Sequence, residues 1–134
     1  MDVIYTGIFF DKDTYNTLKA QGYTSVLSKH IDYPHVTLEF KPKSFLPNEV
    51  IGKEVEVTIV GEGNDGQNHG YEVMLPKEVR NHYRGADIVH ITMSIDHMAK
   101  AVNTANLNFK PITKSFTVKG KVGYFTKAGV KYEN

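Results

Sequence analysis

His35-Val36-Thr37-Leu38-Glu39-Phe40 and His90-Ile91-Thr92-Met93-Ser94-Ile95 repeat one pattern: histidine, apolar, threonine, apolar, polar, apolar. Such alternation is the mark of a strand with one face in a core. Successive strand side chains point to opposite faces, so each histidine shares a face with its threonine, about 6–7 Å away. Val36, Leu38 and Phe40, and Ile91, Met93 and Ile95, are then expected to face the core.

Working outward, Val3 to Phe10 reads as a strand, and Asp11-Lys12-Asp13-Thr14 supplies helix N-cap candidates directly after it. That helix should run through Leu18 and stop near Gly22, which suits a left-handed cap. A loop then leads to Pro34, which biases the chain toward the extended form in which His35 begins. Glu54 to Val60 and Tyr71 to Leu75 read as strands joined through the turn-rich Gly61-Glu62-Gly63-Asn64-Asp65-Gly66-Gln67-Asn68. Pro76 can open a short helix over Lys77 to Arg84. After the second motif comes a mixed segment, Asp96 to Phe109, and then a long β run from Thr113 to Phe125, with Phe116, Val118 and Val122 on one face. Gly120 and Gly123 mark a bulge or a close backbone approach in that run. No repeat or linker divides the chain, so residues 1–134 read as one α+β domain.

Composition narrows the function. A formal charge of +1 lacks the footprint of a duplex nucleic-acid binder but leaves room for a small anionic ligand. With no cysteine, disulfide scaffolds, thiolate metal sites and cysteine nucleophiles are excluded. No apolar run approaches the roughly 20 residues needed to cross a bilayer, and the first residues carry Asp2 where an export signal would be basic. The expectation is a cytoplasmic monomer with no membrane partner.

If the two motif strands lie near each other, two imidazoles and two hydroxyls surround one tetrahedral space, which suits a phosphate. Hydrolysis of a phosphodiester needs a base for the water and an acid for the leaving oxygen, and histidine suits both because its reference pKa is about 6.5. His35 and His90 are therefore the candidate catalytic pair, and Thr37 and Thr92 the candidate phosphate donors, with no cofactor required. Glu39 is the one acid on the polar face of either strand, too few for a two-metal site, so no metal is expected. Which ring acts as base is left open. Tyr5 and Tyr124 are candidates to stack a base or touch the phosphate, and Tyr33 and Tyr83 to wall a cleft. His30, His69, His82 and His97 lack a following threonine at the same spacing and read as surface or loop residues.

At these residues the chain resembles the two-histidine (2H) phosphoesterase superfamily, with its LigT-like members, whose signature is a pair of His-x-Thr-x motifs with apolar x positions. The Val102-Asn103-Thr104 segment and the run from Phe116 to Phe125 are further similar to the cyclic phosphodiesterase domain of fungal-type tRNA ligases. The resemblance implies two β-rich lobes with antiparallel sheets facing a central cleft, short helices outside, and a substrate that is a small nucleotide or an RNA end. It implies metal-independent hydrolysis of a cyclic or 2′,5′-type phosphodiester, with a 2′,3′-cyclic phosphate as the first expectation. The alternative is a viral-type hydrolase, or a non-hydrolytic sequestering protein, for cyclic nucleotide signals. The spacing of 55 residues between His35 and His90 is short for the larger members.

Overall fold

The computed structural model describes residues 2–21, 27, 29–30 and 34–134. Strand β1 spans Val3–Phe9 and is followed by helix α1, Lys12–Gln21. Asp11 caps that helix: its Oδ1 accepts the Thr14 N–H at 2.7 Å, which holds its carboxyl below the usual carboxylate range. Leu18 is the buried residue of α1, and the buried Tyr71 hydroxyl donates to the Leu18 carbonyl at 2.7 Å, tying the helix to the sheet. The expected stop at Gly22 lies outside the described residues.

The remaining strands are β2 (Lys29–His30), β3 (His35–Phe40), β4 (Glu54–Asn64), β5 (Asn68–Met74), β6 (His90–Ile95), β7 (Lys110–Thr126) and β8 (Gly129–Lys131). Helix α2 covers Lys77–Arg80, and a 3-10 helix covers Ala101–Asn106. The expected β4–β5 hairpin forms with a tighter turn: both strands advance into the glycine-rich stretch, and Asp65 Oδ1 accepts the N–H groups of Gln67 and Asn68. Among the described residues no helix is long and apolar enough to cross a membrane.

All strands belong to one antiparallel sheet in the order β2-β6-β5-β4-β7-β1-β3, with β8 on β7. The sheet curls until β3 touches β6, giving a nearly closed barrel. This overturns the expectation of an α+β fold with two lobes: the protein is mostly β, 47% strand against 16% helix. Two lobes would need a break between their sheets. Instead β4 and β7 pair from Glu54↔Lys121 to Glu62↔Lys110, and that ladder joins the halves. Helix is scarce because α2 ends at Arg80 rather than Arg84, and the segment 96–109 yields a single 3-10 helix.

The barrel interior holds Ile8, Val36, Leu38, Val57, Ile59, Tyr71, Ile91 and Val122, each fully buried. Gly120 supplies the expected close approach: a Cβ there would lie 2.5 Å from Ile8 Cγ2 and 2.7 Å from the Phe10 ring. One apolar-face expectation, Phe40, fails because of a bulge, which adds a residue to one strand and reverses its alternation. In β3, Gly7 pairs with Thr37 but Thr6 with Glu39, so Leu38 is the extra residue. Phe40 then pairs with Tyr5, turns away from the core and is 60% exposed. In β4, Val60 is the extra residue, and beyond it Glu62 turns inward. There it meets His69 Nε2 at 2.6 Å, so His69, expected at the surface or in a loop, is a buried strand residue. His82 and His97 do lie in turns, and the side chain of His30 is outside the described residues.

Candidate functional site

The strand order explains why the two motifs meet. Apart from the two-residue β2 at the outer edge of β6, it falls into two matching halves, β6-β5-β4 and β7-β1-β3, each ending on a motif strand. In each half the motif strand pairs with the strand that precedes the helix before it: β1 and α1 lead to β3, and β5 and α2 lead to β6. Curling the sheet about the central β4–β7 pair therefore brings its motif-bearing strands together.

The local geometry matches as well. Thr37 pairs with Gly7 and Thr92 with Gly70, and each strand then bulges at the next residue, Leu38 or Met93. Neither glycine tolerates a side chain. A Cβ on Gly7 would lie 2.7 Å from the Val36 carbonyl oxygen, and one on Gly70 would lie 2.6 Å from that of Ile91. Leu38, freed from the ladder by its bulge, accepts the Arg84 N–H at 2.7 Å. That bond joins β3 to the segment leading into β6 and fastens the barrel at its seam.

A cavity of about 470 Å³ opens at this seam, lined by His35 and Thr37 from one strand and His90 and Thr92 from the other. Its walls are Tyr5, Phe40, Tyr83, Arg84, Ala101, Val102 and Ala105, with Gly85 and Ala86. The lining is rich in apolar surface and carries no carboxylate among the described residues, so Arg84 is its one permanent charge.

His35 is half-buried and braced by aromatic rings. The Tyr5 ring stacks on it at 4.8 Å and Phe9 lies tilted at 5.8 Å, while the Tyr5 hydroxyl sits 3.5 Å from Nδ1, the outer limit of a hydrogen bond. Tyr5 is itself stacked on Phe125 at 5.0 Å, and burial pushes its phenol up to about 12. His90 is held differently: its Nδ1 lies 3.1 Å from the Ile88 carbonyl oxygen. A carbonyl only accepts, so Nδ1 carries a hydrogen and Nε2 is the nitrogen left to exchange a proton.

The threonines also differ. Thr37 is half-buried and its hydroxyl has no hydrogen-bond partner among the described residues. Thr92 Oγ1 lies 2.9 Å from Thr104 Oγ1 on the 3-10 helix, and Thr104 accepts from Asn68 Nδ2 at 3.1 Å. Asn68 and Thr104 are almost fully buried, so this chain is fixed from inside the fold. The Thr92 hydroxyl donates to Thr104, with the Ala101 carbonyl a second acceptor at 3.4 Å, so a ligand in the cavity would take the Thr92 hydrogen in exchange for these bonds.

Of the tyrosines singled out from sequence, Tyr5 and Tyr83 line the cavity. Tyr124 does not: it is 2% exposed, its hydroxyl accepts the Leu46 N–H and donates to Asn134, and it belongs to the core. Tyr33 lies outside the described residues. Sequence reasoning passed over Phe40 as a wall, because its register depends on the Leu38 bulge, and gave Asn68 no role, because its reach to Thr104 spans 36 residues. Searches of family models and of curated proteins returned no match to this chain.

Proposed function

We propose that the protein is a phosphodiesterase that hydrolyses a cyclic or 2′,5′-type nucleotide or RNA phosphodiester by acid–base catalysis at His35 and His90, without a metal. The observation that carries this reading is the convergence of two His-x-Thr motifs, 55 residues apart in sequence, on one cavity. Two imidazoles facing one space supply what a single ring cannot: one accepts the proton of the attacking water while the other protonates the leaving oxygen. On this reading His90 works through Nε2, because Nδ1 is committed to the Ile88 carbonyl. Thr37 and Thr92 donate to the non-bridging oxygens, and the largely apolar wall raises the strength of those bonds by excluding water. A 2′,3′-cyclic phosphate is the first candidate on the resemblance of the two motifs to those of 2H phosphoesterases, and any in-line displacement at phosphorus sets attacking and leaving oxygens on opposite sides, as two histidines require.

The test is turnover of a panel holding a nucleoside 2′,3′-cyclic phosphate, a 2′,5′-linked oligonucleotide and cyclic dinucleotides, with chelator present. Hydrolysis is expected to persist in chelator and to fall by at least roughly 10²- to 10⁴-fold in His35→Ala and in His90→Ala, with the melting temperature little changed. Wild-type levels of hydrolysis in both variants would sink the mechanism. Recovery of every ligand without added water would favour a binding protein.

A further inference from the structure

Beside the histidine cavity lies a second, larger hollow of about 930 Å³, and its lining is dominated by lysine. Lys41 and Lys43 come from the segment after β3, and Lys127 and Lys131 from the β7–β8 turn and β8. All four are exposed, and none is paired with a carboxylate among the described residues. Asp2 is the one acid in the lining among the described residues. A chain of net charge +1 thus concentrates four cations around one groove, against the single carboxylate of Asp2.

The groove and the cavity adjoin in sequence at two places. Phe40, the last residue of β3, lines the cavity and Lys41, just after it, the groove; in β1, Tyr5 lines the cavity and Val3 and Ile4 the groove. Lys41 follows Phe40 directly in the chain, so the first lysine of the groove stands next to a wall of the histidine cavity. The junction is also strained. Lys41 has φ +51, the one positive φ outside glycine among the described residues, and its N–H donates to the Ile4 carbonyl. Glycine or asparagine would hold that conformation at less cost. The lysine there keeps a cation at the mouth of the groove, with its ammonium 5.5 Å from the centre of the Phe40 ring.

Charge alone would fit any polyanion, and the aromatic residues narrow the choice. Phe40-Lys41-Pro42-Lys43-Ser44-Phe45 brackets two cations between two rings, and its phenylalanines are 60% and 58% exposed. Rings offered to solvent beside a cationic track suit bases that stack and phosphates that follow a groove, which is how single strands are held. A flat lipid surface calls for no concave track.

We infer that the lysine groove binds the sugar–phosphate backbone of a single-stranded nucleic acid whose terminal phosphodiester enters the histidine cavity, so that the substrate is an oligonucleotide end rather than a free nucleotide. The catalytic half of this statement rests on the proposed phosphodiesterase reading; the groove itself is tested apart from it.

The first arm is fluorescence anisotropy of a labelled single-stranded RNA decanucleotide across a salt series. Single strands lose affinity with a log–log slope near −0.7 per phosphate neutralised, so four lysines allow a slope of up to about −3. The K41Q/K43Q/K127Q/K131Q variant should bind about tenfold or more weakly at low salt with a slope within about 1 of zero, while the four-arginine counterpart keeps the wild-type slope. Equal slopes in wild type and glutamine variant, or no binding by the wild type, would overturn the groove. So would binding of phosphatidylserine vesicles in place of the RNA, which would make it a membrane surface. The second arm compares kcat/KM for an oligonucleotide ending in a 2′,3′-cyclic phosphate with that for the mononucleotide. The glutamine variant should lose about tenfold on the oligonucleotide and nothing on the mononucleotide, and an equal loss on both would overturn the inference. Failure to turn over either substrate would count against the phosphodiesterase reading, while the anisotropy still decides the groove.

Discussion

At the scale of the residue, Tyr5 shows how packing sets chemistry. Its ring lies against His35, Phe9 and Phe125, and that burial makes the phenolate costly, which raises its pKa to about 12. A folded-state pKa above the unfolded value of about 10 means that the native protein binds the proton more tightly. Tyr5 then has no effect on the pH dependence of stability below about pH 10, where both states are protonated. Its contribution is lost as the pH rises from about 10 to 12, because only the unfolded chain ionises freely there. Tyr83, Tyr124 and Tyr132 are raised by burial in the same direction and add to the fall. Melting temperatures followed from about pH 9 to 12 should decline less steeply in Tyr5→Phe than in the wild type. Parallel declines would show that Tyr5 is not protected from ionisation by its neighbours.

At the scale of the element, the two motif strands were legible because alternation is a local signal, and β3 and β6 begin and end where the pattern does. That each histidine shares a face with its own threonine followed from the same alternation. Bulges were not legible. The extra residues Leu38, Val60 and Met93 are defined only by the partner strand, and each reverses the faces beyond it. Phe40 was misread for that reason, and Glu62, read as part of the turn, because β4 runs on to Asn64. The bulges also depend on glycine, which yields a prediction. A Cβ on Gly70 would sit 2.6 Å from the Ile91 carbonyl oxygen and 2.6 Å from Thr104 Cγ2, so alanine there must displace both the histidine strand and the 3-10 helix that holds Thr92. Gly70→Ala should cost about 1–3 kcal/mol in urea unfolding, the usual range for overpacking, and should lower turnover with it. Gly66 is the control: its φ of +87 is unfavourable to alanine, but nothing lies within 4 Å of the added Cβ. Its alanine variant should lose about 1 kcal/mol and keep its activity. Equal effects at the two sites would show that strain, not contact at the motif strand, governs both.

At the scale of the whole molecule, what the sequence could not convey was closure. Whether two histidine strands belong to two sheets or one is decided by the β4–β7 ladder, whose partners are up to 67 residues apart at Glu54↔Lys121. That ladder makes the halves interdependent: each motif strand lies at the far side of its half, and the cavity exists only when both halves are folded and curled. Two lobes joined by a hinge would unfold in two steps, each with its own core. One sheet around one interior, in which Ile8 and Val36 belong to the same buried cluster as Ile59 and Ile91, should unfold in one. Calorimetry is expected to give a van't Hoff enthalpy equal to the calorimetric one, and two resolved transitions would contradict the single barrel. Hydrogen exchange should follow the same geometry. The central β4–β7 amides should exchange only on global unfolding, while β3, bonded on one side to β1 alone, should open earlier. The Arg84 N–H to Leu38 bond joins that free side to the approach to β6, so its amide should exchange with β3 rather than with its neighbours in the loop. If Arg84 exchanges as fast as an exposed loop amide while β3 stays protected, the seam is not what holds the two histidines together.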